Sequence, residues 1–172
     1  MRRGYVFSGS WTVDAQVGRV QEVLVDLERY PEWWRQVRAV ASLGENDARV
    51  LCRSALPYTL DLVLHAVRRE PELLQVRIRG DLEGTAVWRL TDLGRRTRLD
   101  FEQEVTVDGW LARVSPVVRP VLRWNHGRMM HGCIEGLRAR YETREDWRIS
   151  SAEYQARKGN AAPAVAKTPA PA

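Results

Sequence analysis

The sequence predicts an α+β fold, with a curved seven-stranded antiparallel sheet around a long C-terminal helix and two short helices after the first strand. Three observations lead there. An opening stretch alternates with period two and runs directly into an amphipathic helical pattern. From Val37 to Asp108 the chain offers only short apolar runs separated by turn signals. A helical pattern of more than twenty residues then begins at Val121. It exceeds the usual three or four turns, so it needs a broad surface to lie across, and only the sheet can supply one.

The first strand is YVFSGSWTV, Tyr5 to Val13. Phe7, Trp11 and Val13 share one parity, while Ser8, Ser10 and Thr12 share the other, which gives a strand with one wet face. Asp14 is placed to cap a helix in which Val17, Val20, Val23, Leu24 and Leu27 recur at helical spacing. That helix should stop near Arg29, because the Pro31 ring disfavours helical geometry at Tyr30. A second short turn, Glu32 to Gln36, carries Trp33 and Trp34; from so short a helix both tryptophans should not reach one core, so one is expected near a cavity entrance or an interface.

Six strands follow, VRAVASL, ARVLCRS, TLDLVLHAV, LLQVRIR, TAVWRLT and RTRLDFEQEVTV, joined by tight connections as an antiparallel meander. Their inward parities are Leu60, Leu62 and Leu64; Leu74, Val76 and Ile78; Ala86, Trp88 and Leu90; and Leu99, Phe101 and Val105. Gln103 shares the apolar parity of the last strand and must find a partner or a wet space. Asp100, Glu102 and Glu104 go outward, where Arg77, Arg79 and Arg89 could pair with them. Pro116 and Pro120 interrupt the stretch before the long helix, leaving Leu111 to Val118 as a short turn of helix or a linker.

Residues 1–147 read as one domain, and 148–172 as a disordered Ala/Pro-rich basic tail with too few large apolar residues to offset its chain entropy. The net charge is +5; four bases against one acid place +3 of it from Arg148 onward, so the body carries only +2. A domain that neutralises phosphates would concentrate its bases on one surface, so DNA is not an expected partner. No stretch approaches the roughly 20 apolar residues of a membrane-spanning helix, and MRRGYVFSGSW lacks the apolar block of a signal peptide. Cys52 and Cys133 are too few for a disulfide framework and fit a reducing cytoplasm.

The run VDAQVGRVQEVLVDLERYPEWW, Val13 to Trp34, resembles the opening of the START-like (SRPBCC) superfamily of polyketide cyclases/dehydrases and lipid-transport proteins. GTAVWRLTDLGRRTRLDFEQEV and the closing helix with its RWNH stretch are similar in kind and order, so the resemblance covers about residues 5 to 145. It implies the helix-grip (START/Bet v 1-like) fold, in which the sheet grips the C-terminal helix around a deep apolar cavity. Members bind lipids, hormones or polyketides, and a minority are aromatase/cyclases or hydrolases.

The stretch RWNHGRMMHGC holds the residues that most invite a chemical reading. His126 and His131 point about 140° apart on a regular helix and cannot chelate one ion together. Cys133 returns to the face of His126, but one His and one Cys fall short of the three or four ligands a metal needs. They also stand about 10 Å apart along the axis, too far for a Cys–His nucleophile pair. No metal and no cofactor is expected.

Leu122, His126, Met130, Cys133, Leu137 and Tyr141 form one stripe, with Trp124, Arg128, His131 and Glu135 opposite. The stripe reads equally as plain packing or as a cavity wall. Gly132 and Gly136 on its flank imply close approach of another backbone or space left for a ligand. The candidate cavity residues are Trp34, Leu62, Val76, Trp88, Phe101, Gln103, His126, Met130, Cys133 and Leu137, with His126 the weak catalytic candidate.

Three functions follow. The first is binding or transport of a small apolar or aromatic, lipid- or polyketide-like molecule, oriented by Gln103 or His126 and without covalent chemistry. The second is an aromatase/cyclase-type enzyme using His126 as acid/base, and the lack of an acid–base pair counts against it. The third, implied by the resemblance, is a partner-binding module of the quinone-chaperone or ribosome-associated type using the basic tail.

Overall fold

The computed structural model describes residues 3–107 and 119–142. The expected linker Leu111 to Val118 and the tail 148–172 lie outside the described residues. Within them the predicted architecture is present: β1 (Arg3–Val13), α1 (Val17–Val25), a 3-10 turn (Leu27–Arg29), α2 (Tyr30–Trp33), β2 (Val37–Ser42), β3 (Asp47–Cys52), β4 (Leu60–Glu70), β5 (Leu73–Gly80), β6 (Glu83–Asp92) and β7 (Thr97–Val107), then α3 over residues 119–142.

The seven strands form one sheet in the order β1-β7-β6-β5-β4-β3-β2, with every pair antiparallel. Strands β2 to β7 are a nearest-neighbour meander, and β1 adds to β7 in unbroken register from Arg3↔Val107 to Val13↔Thr97. The alternation read from sequence matches burial. Tyr5 and Val13 are buried and Phe7 and Trp11 pack on the core, while Val6 on the opposite parity is 56% exposed. On the outer face Arg89 donates to Glu102 at 3.1 Å, whereas Asp100 pairs with Arg98 of its own strand. Gly80 turns β5 toward β6 at φ +111, and a Cβ there would collide with the Asp61 carbonyl.

Four local expectations are corrected. Asp14 does not cap α1; Gln16 holds that position, with no side-chain cap bond. The first helix ends at Val25, and a separate 3-10 turn covers Leu27–Arg29. Tyr30 is helical (φ −54, ψ −40) despite preceding Pro31. Pro31 sits in the first turn of α2, where its missing N–H needs no partner, so the second helix spans Tyr30–Trp33 rather than Glu32 to Gln36. Finally, both tryptophans are buried, Trp33 at 9% and Trp34 at 8% exposure. Trp34 has left the helix for an extended conformation (φ −104, ψ 93), and the two indoles stack in one core at 5.9 Å between centroids.

Helix α3 lies against the sheet and the α1–α2 layer. Its C-terminal half is pinned by Tyr141 Oη donating to the Arg19 carbonyl (3.1 Å) and Arg138 Nη2 donating to the Thr12 carbonyl (3.2 Å). Cys133 and Leu137 are fully buried there, and Ile134 is 2% exposed. Gly136 permits the contact with α2, because a Cβ would overlap the Trp33 carbonyl oxygen. Gly132 faces the Gln36 side-chain amide. Of the two readings of these glycines, close approach of another backbone describes Gly136, whereas Gly132 makes room for a side chain of the protein itself. At the other end of the core, Thr97 Oγ1 donates to the Ala15 carbonyl at 2.7 Å, tying the start of β7 to the entry of α1.

Candidate functional site

The concave face of the sheet and the N-terminal half of α3 do not close on each other completely. Among the described residues two cavities lie between them, of about 130 Å³ and about 110 Å³. They share Trp34, Leu62, Phe101, Gln103 and Met129 as walls and so form two lobes of one site.

The larger lobe is walled by the inward parities of β4, β5 and β6, including Leu74, Val76, Ile78 and Trp88, with Tyr30 and Cys52 beside them. It reaches the surface between Val25, which is 39% exposed, and the exposed Arg68 and Arg69. The β4–β5 register shifts between Ala66 and Arg68. Such a bulge re-aims the strand that carries it, and here both consecutive arginines line the mouth. The smaller lobe lies under α3, walled by Phe7, Tyr58, Leu122, Asn125, His126 and Met130.

The polar content of the interior centres on one pair. His126 Nε2 and Gln103 Oε1 are 3.1 Å apart. An amide oxygen only accepts, so the imidazole donates from Nε2 and keeps Nδ1 as an acceptor. The ring stacks on Phe7 at 4.0 Å between centroids with planes 14° apart, and lies 6.0 Å from Phe101. Burial lowers the His126 pKa to about 4, so the imidazole is neutral at neutral pH.

Asn125 organises the rim. Its Oδ1 accepts from the Ala55 and Leu56 amides at 3.0 and 3.2 Å, and its carbonyl accepts from Ser54 Oγ at 3.1 Å. These bonds hold the β3–β4 connection, with half-buried Tyr58, against α3 over the smaller lobe. Trp34 donates from Nε1 to the Met129 carbonyl at 3.0 Å, which fixes its indole as the partition between the lobes.

Of the ten residues singled out from sequence, Trp34, Leu62, Val76, Trp88, Phe101, Gln103, His126 and Met130 line one or both lobes. Cys133 and Leu137 line neither; they lie on the same stripe but one and two turns further along, where α3 packs on α2 instead of bridging the cavity. The cysteines carry no thiolate character, since burial pushes Cys52 up to about 12 and raises Cys133 as well. They are not bonded to each other. Among the described residues no three of His, Cys, Asp and Glu gather as a metal site, and no helix is long and apolar enough to cross a membrane.

Sequence reasoning missed Asn125, Met129, Tyr30 and Tyr58. A signal existed for the first two, since Leu122, Asn125, His126 and Met129 recur at three- and four-residue spacing. Tyr58 carried none, because its place depends on the Asn125 bonds to a connection some seventy residues earlier.

The family described as polyketide cyclase/dehydrase and lipid transport matches residues 6–142. No curated protein matches the chain. Among solved structures, the chain is similar to a START superfamily protein from Mycobacterium smegmatis at TM-score 0.69 and 17% identity, covering 80% of this chain and 97% of that one. It is similar to the same degree, 0.69 and 17%, to the Zhui aromatase/cyclase from Streptomyces sp. R1128, over 83% and 96% of the two chains. A protein from Thermus thermophilus, TTHA0849, follows at 0.64 and 16%, over 78% and 98%. At these identities the likeness is one of fold. The match over residues 6–142 goes further than fold: the chain belongs to the polyketide cyclase/dehydrase and lipid transport family.

Proposed function

We propose that this protein binds a small apolar or aromatic molecule between its sheet and α3, without covalent chemistry. The observation that carries the reading is the composition of the cavity wall. Aromatic and aliphatic side chains from β4 to β7 and α3 surround two adjoining lobes, and the Gln103–His126 pair interrupts them. A wall of this kind gains affinity from buried area at roughly 25 cal/mol per Å² and uses its few polar groups for orientation. With Nε2 committed to Gln103, the Nδ1 lone pair of His126 suits a ligand hydroxyl.

Native mass spectrometry of freshly purified protein should show an adduct of a few hundred daltons (on the order of a drug-sized ligand). Titration with 2-naphthol should give a saturable change in tryptophan emission, since Trp34 and Trp88 line the larger lobe. The absence of both a bound mass and a saturable change would overturn the reading.

A second reading, cyclase-type catalysis, is favoured by one observation: the imidazole of His126 faces the smaller lobe. Its pKa of about 4 keeps it neutral but makes it a weak base, whereas a general base works best with a pKa near the operating pH. The reading is also weakened by the neighbour, for Gln103 cannot take up or relay the charge of a protonated imidazole as a carboxylate would. Under this reading His126→Ala abolishes turnover of a polyketide chain and leaves folding intact. Unchanged turnover removes His126 from any catalytic role.

A further inference from the structure

The mouth of the larger lobe differs in chemistry from its interior. Up to Ala66 every second residue of β4 faces the cavity, namely Leu62, Leu64 and Ala66. The register shift between Ala66 and Arg68 changes the alternation, so that Arg69 stands opposite Leu74. Directly opposed residues share a face of the sheet, and Leu74 is buried in the cavity wall. The bulge thus brings Arg69 onto the concave face, at the open end of a largely apolar surface.

The β2–β3 turn holds Arg69 there. Its Nη2 donates to the Glu45 carbonyl at 3.0 Å, and the Ala66 amide donates to the Asn46 carbonyl at 2.8 Å. One carbonyl engages one of the five N–H groups of a guanidinium and leaves its charge uncompensated. The acids nearby lie on the far side of Arg69, in the depression shared by Asp26, Glu28, Glu45 and Asp47. Two of them have partners of their own, Asp26 with Arg29 and Asp47 with His65. Among the described residues no carboxylate pairs with Arg68 or Arg69. Within the wall of the larger lobe these two arginines are the charged residues, and no Asp or Glu joins them.

We propose that the guest of this cavity is an acid, with an apolar or aromatic body against Leu74, Val76 and Trp88 and a carboxylate left at the mouth on Arg69 and Arg68. The inference rests on the reading that the cavity binds an apolar molecule, and adds the charge of that molecule and the end that points outward. A guanidinium meets a carboxylate through paired, charge-assisted hydrogen bonds. Leaving the charge at the rim also avoids the desolvation that burying it would cost.

The test is calorimetric titration of the full-length protein with 2-naphthoate and with 2-naphthol at neutral pH, the same two rings with and without the carboxylate. The readout is the ratio of the two affinities. The protein should favour 2-naphthoate about three- to tenfold, the range of one partly exposed charge-assisted contact, and added salt should shrink that ratio. Arg69→Gln should bring the two affinities together and Arg68→Gln should narrow the gap. Arg79→Gln, exposed on the outward parity of β5, should preserve it. If Arg69→Gln fails to fold, Arg68→Gln and the salt dependence decide. Binding of 2-naphthol with no preference for the acid overturns this proposal and leaves the apolar-binding reading standing, whereas binding of neither compound sinks both. A preference that survives both arginine substitutions, or that falls equally in the Arg79 variant, reflects overall charge and overturns the proposal.

Discussion

His126 is the residue whose burial changes its charge within the acid range where folding can be followed. Burial moves its pKa from 6.5 to about 4, so the unfolded chain binds a proton here that the folded chain refuses. Stability is therefore complete above the unfolded value and is lost as pH falls from about 6.5 through about 4, by up to about 3 kcal/mol for such a shift. His126→Gln keeps a donor for Gln103 and removes the titration. Urea midpoints across this range should show a shallower acid limb in the variant, and parallel limbs would mean that His126 does not drive the loss. Asn125 makes a different prediction. Asn125→Ala leaves the Ala55 and Leu56 amides without their acceptor, at a cost of about 2 kcal/mol, read as a lower midpoint at neutral pH. The sequence exposes His126 and Gln103 separately, one by its place on an apolar stripe and the other by its inward parity. It does not expose their pairing, because the angle at which α3 crosses β7 is a property of the packed molecule.

At the scale of elements, the strands are legible because period-two alternation and turn residues act locally, and all six strands of the meander fall where those patterns put them. The helices after β1 are less so. The steric rule before proline acts on one residue, and at Tyr30 it is outweighed by tertiary contacts: Tyr30 Oη donates to the Leu24 carbonyl at 2.6 Å and its ring packs edge-on against Trp33. The helical pattern locates α3, but it presents the apolar stripe as uniform, and the structure divides it. The first half roofs the cavity and the second half is a packed joint. Two glycine substitutions separate these regimes. Gly136→Ala forces a Cβ into the Trp33 carbonyl and should destabilise by about 1–3 kcal/mol, as overpacking does. Gly127→Ala meets nothing within 4 Å and should stabilise by up to about 1 kcal/mol through helix propensity. Thermal melts of the two variants should move in opposite directions.

For the whole molecule, the question is whether the space under α3 is free. Ala86 is buried in the wall of the larger lobe. Ala86→Leu adds three carbons there, worth up to about 2 kcal/mol if they fill unoccupied volume, and should raise the urea midpoint while abolishing the 2-naphthol response. A lowered midpoint would mean that the lobe has no room to give. The order of elements and the family resemblance together predict a cavity at this place. Its division into lobes is not legible in the sequence, since that depends on Trp34 leaving α2 in an extended conformation.

The long ladder between β1 and β7 joins segments made near the start and near the end of the described chain. During synthesis, Tyr5, Phe7, Trp11 and Val13 emerge well before their neighbouring strand, which is translated some ninety residues later. A nascent chain halted before Thr97 carries a greasy, hydrogen-bond-hungry ribbon with nothing to sew it to. Ribosome-bound intermediates of this protein are thus expected to be cut readily by protease until β7 appears, and to resist it only afterwards.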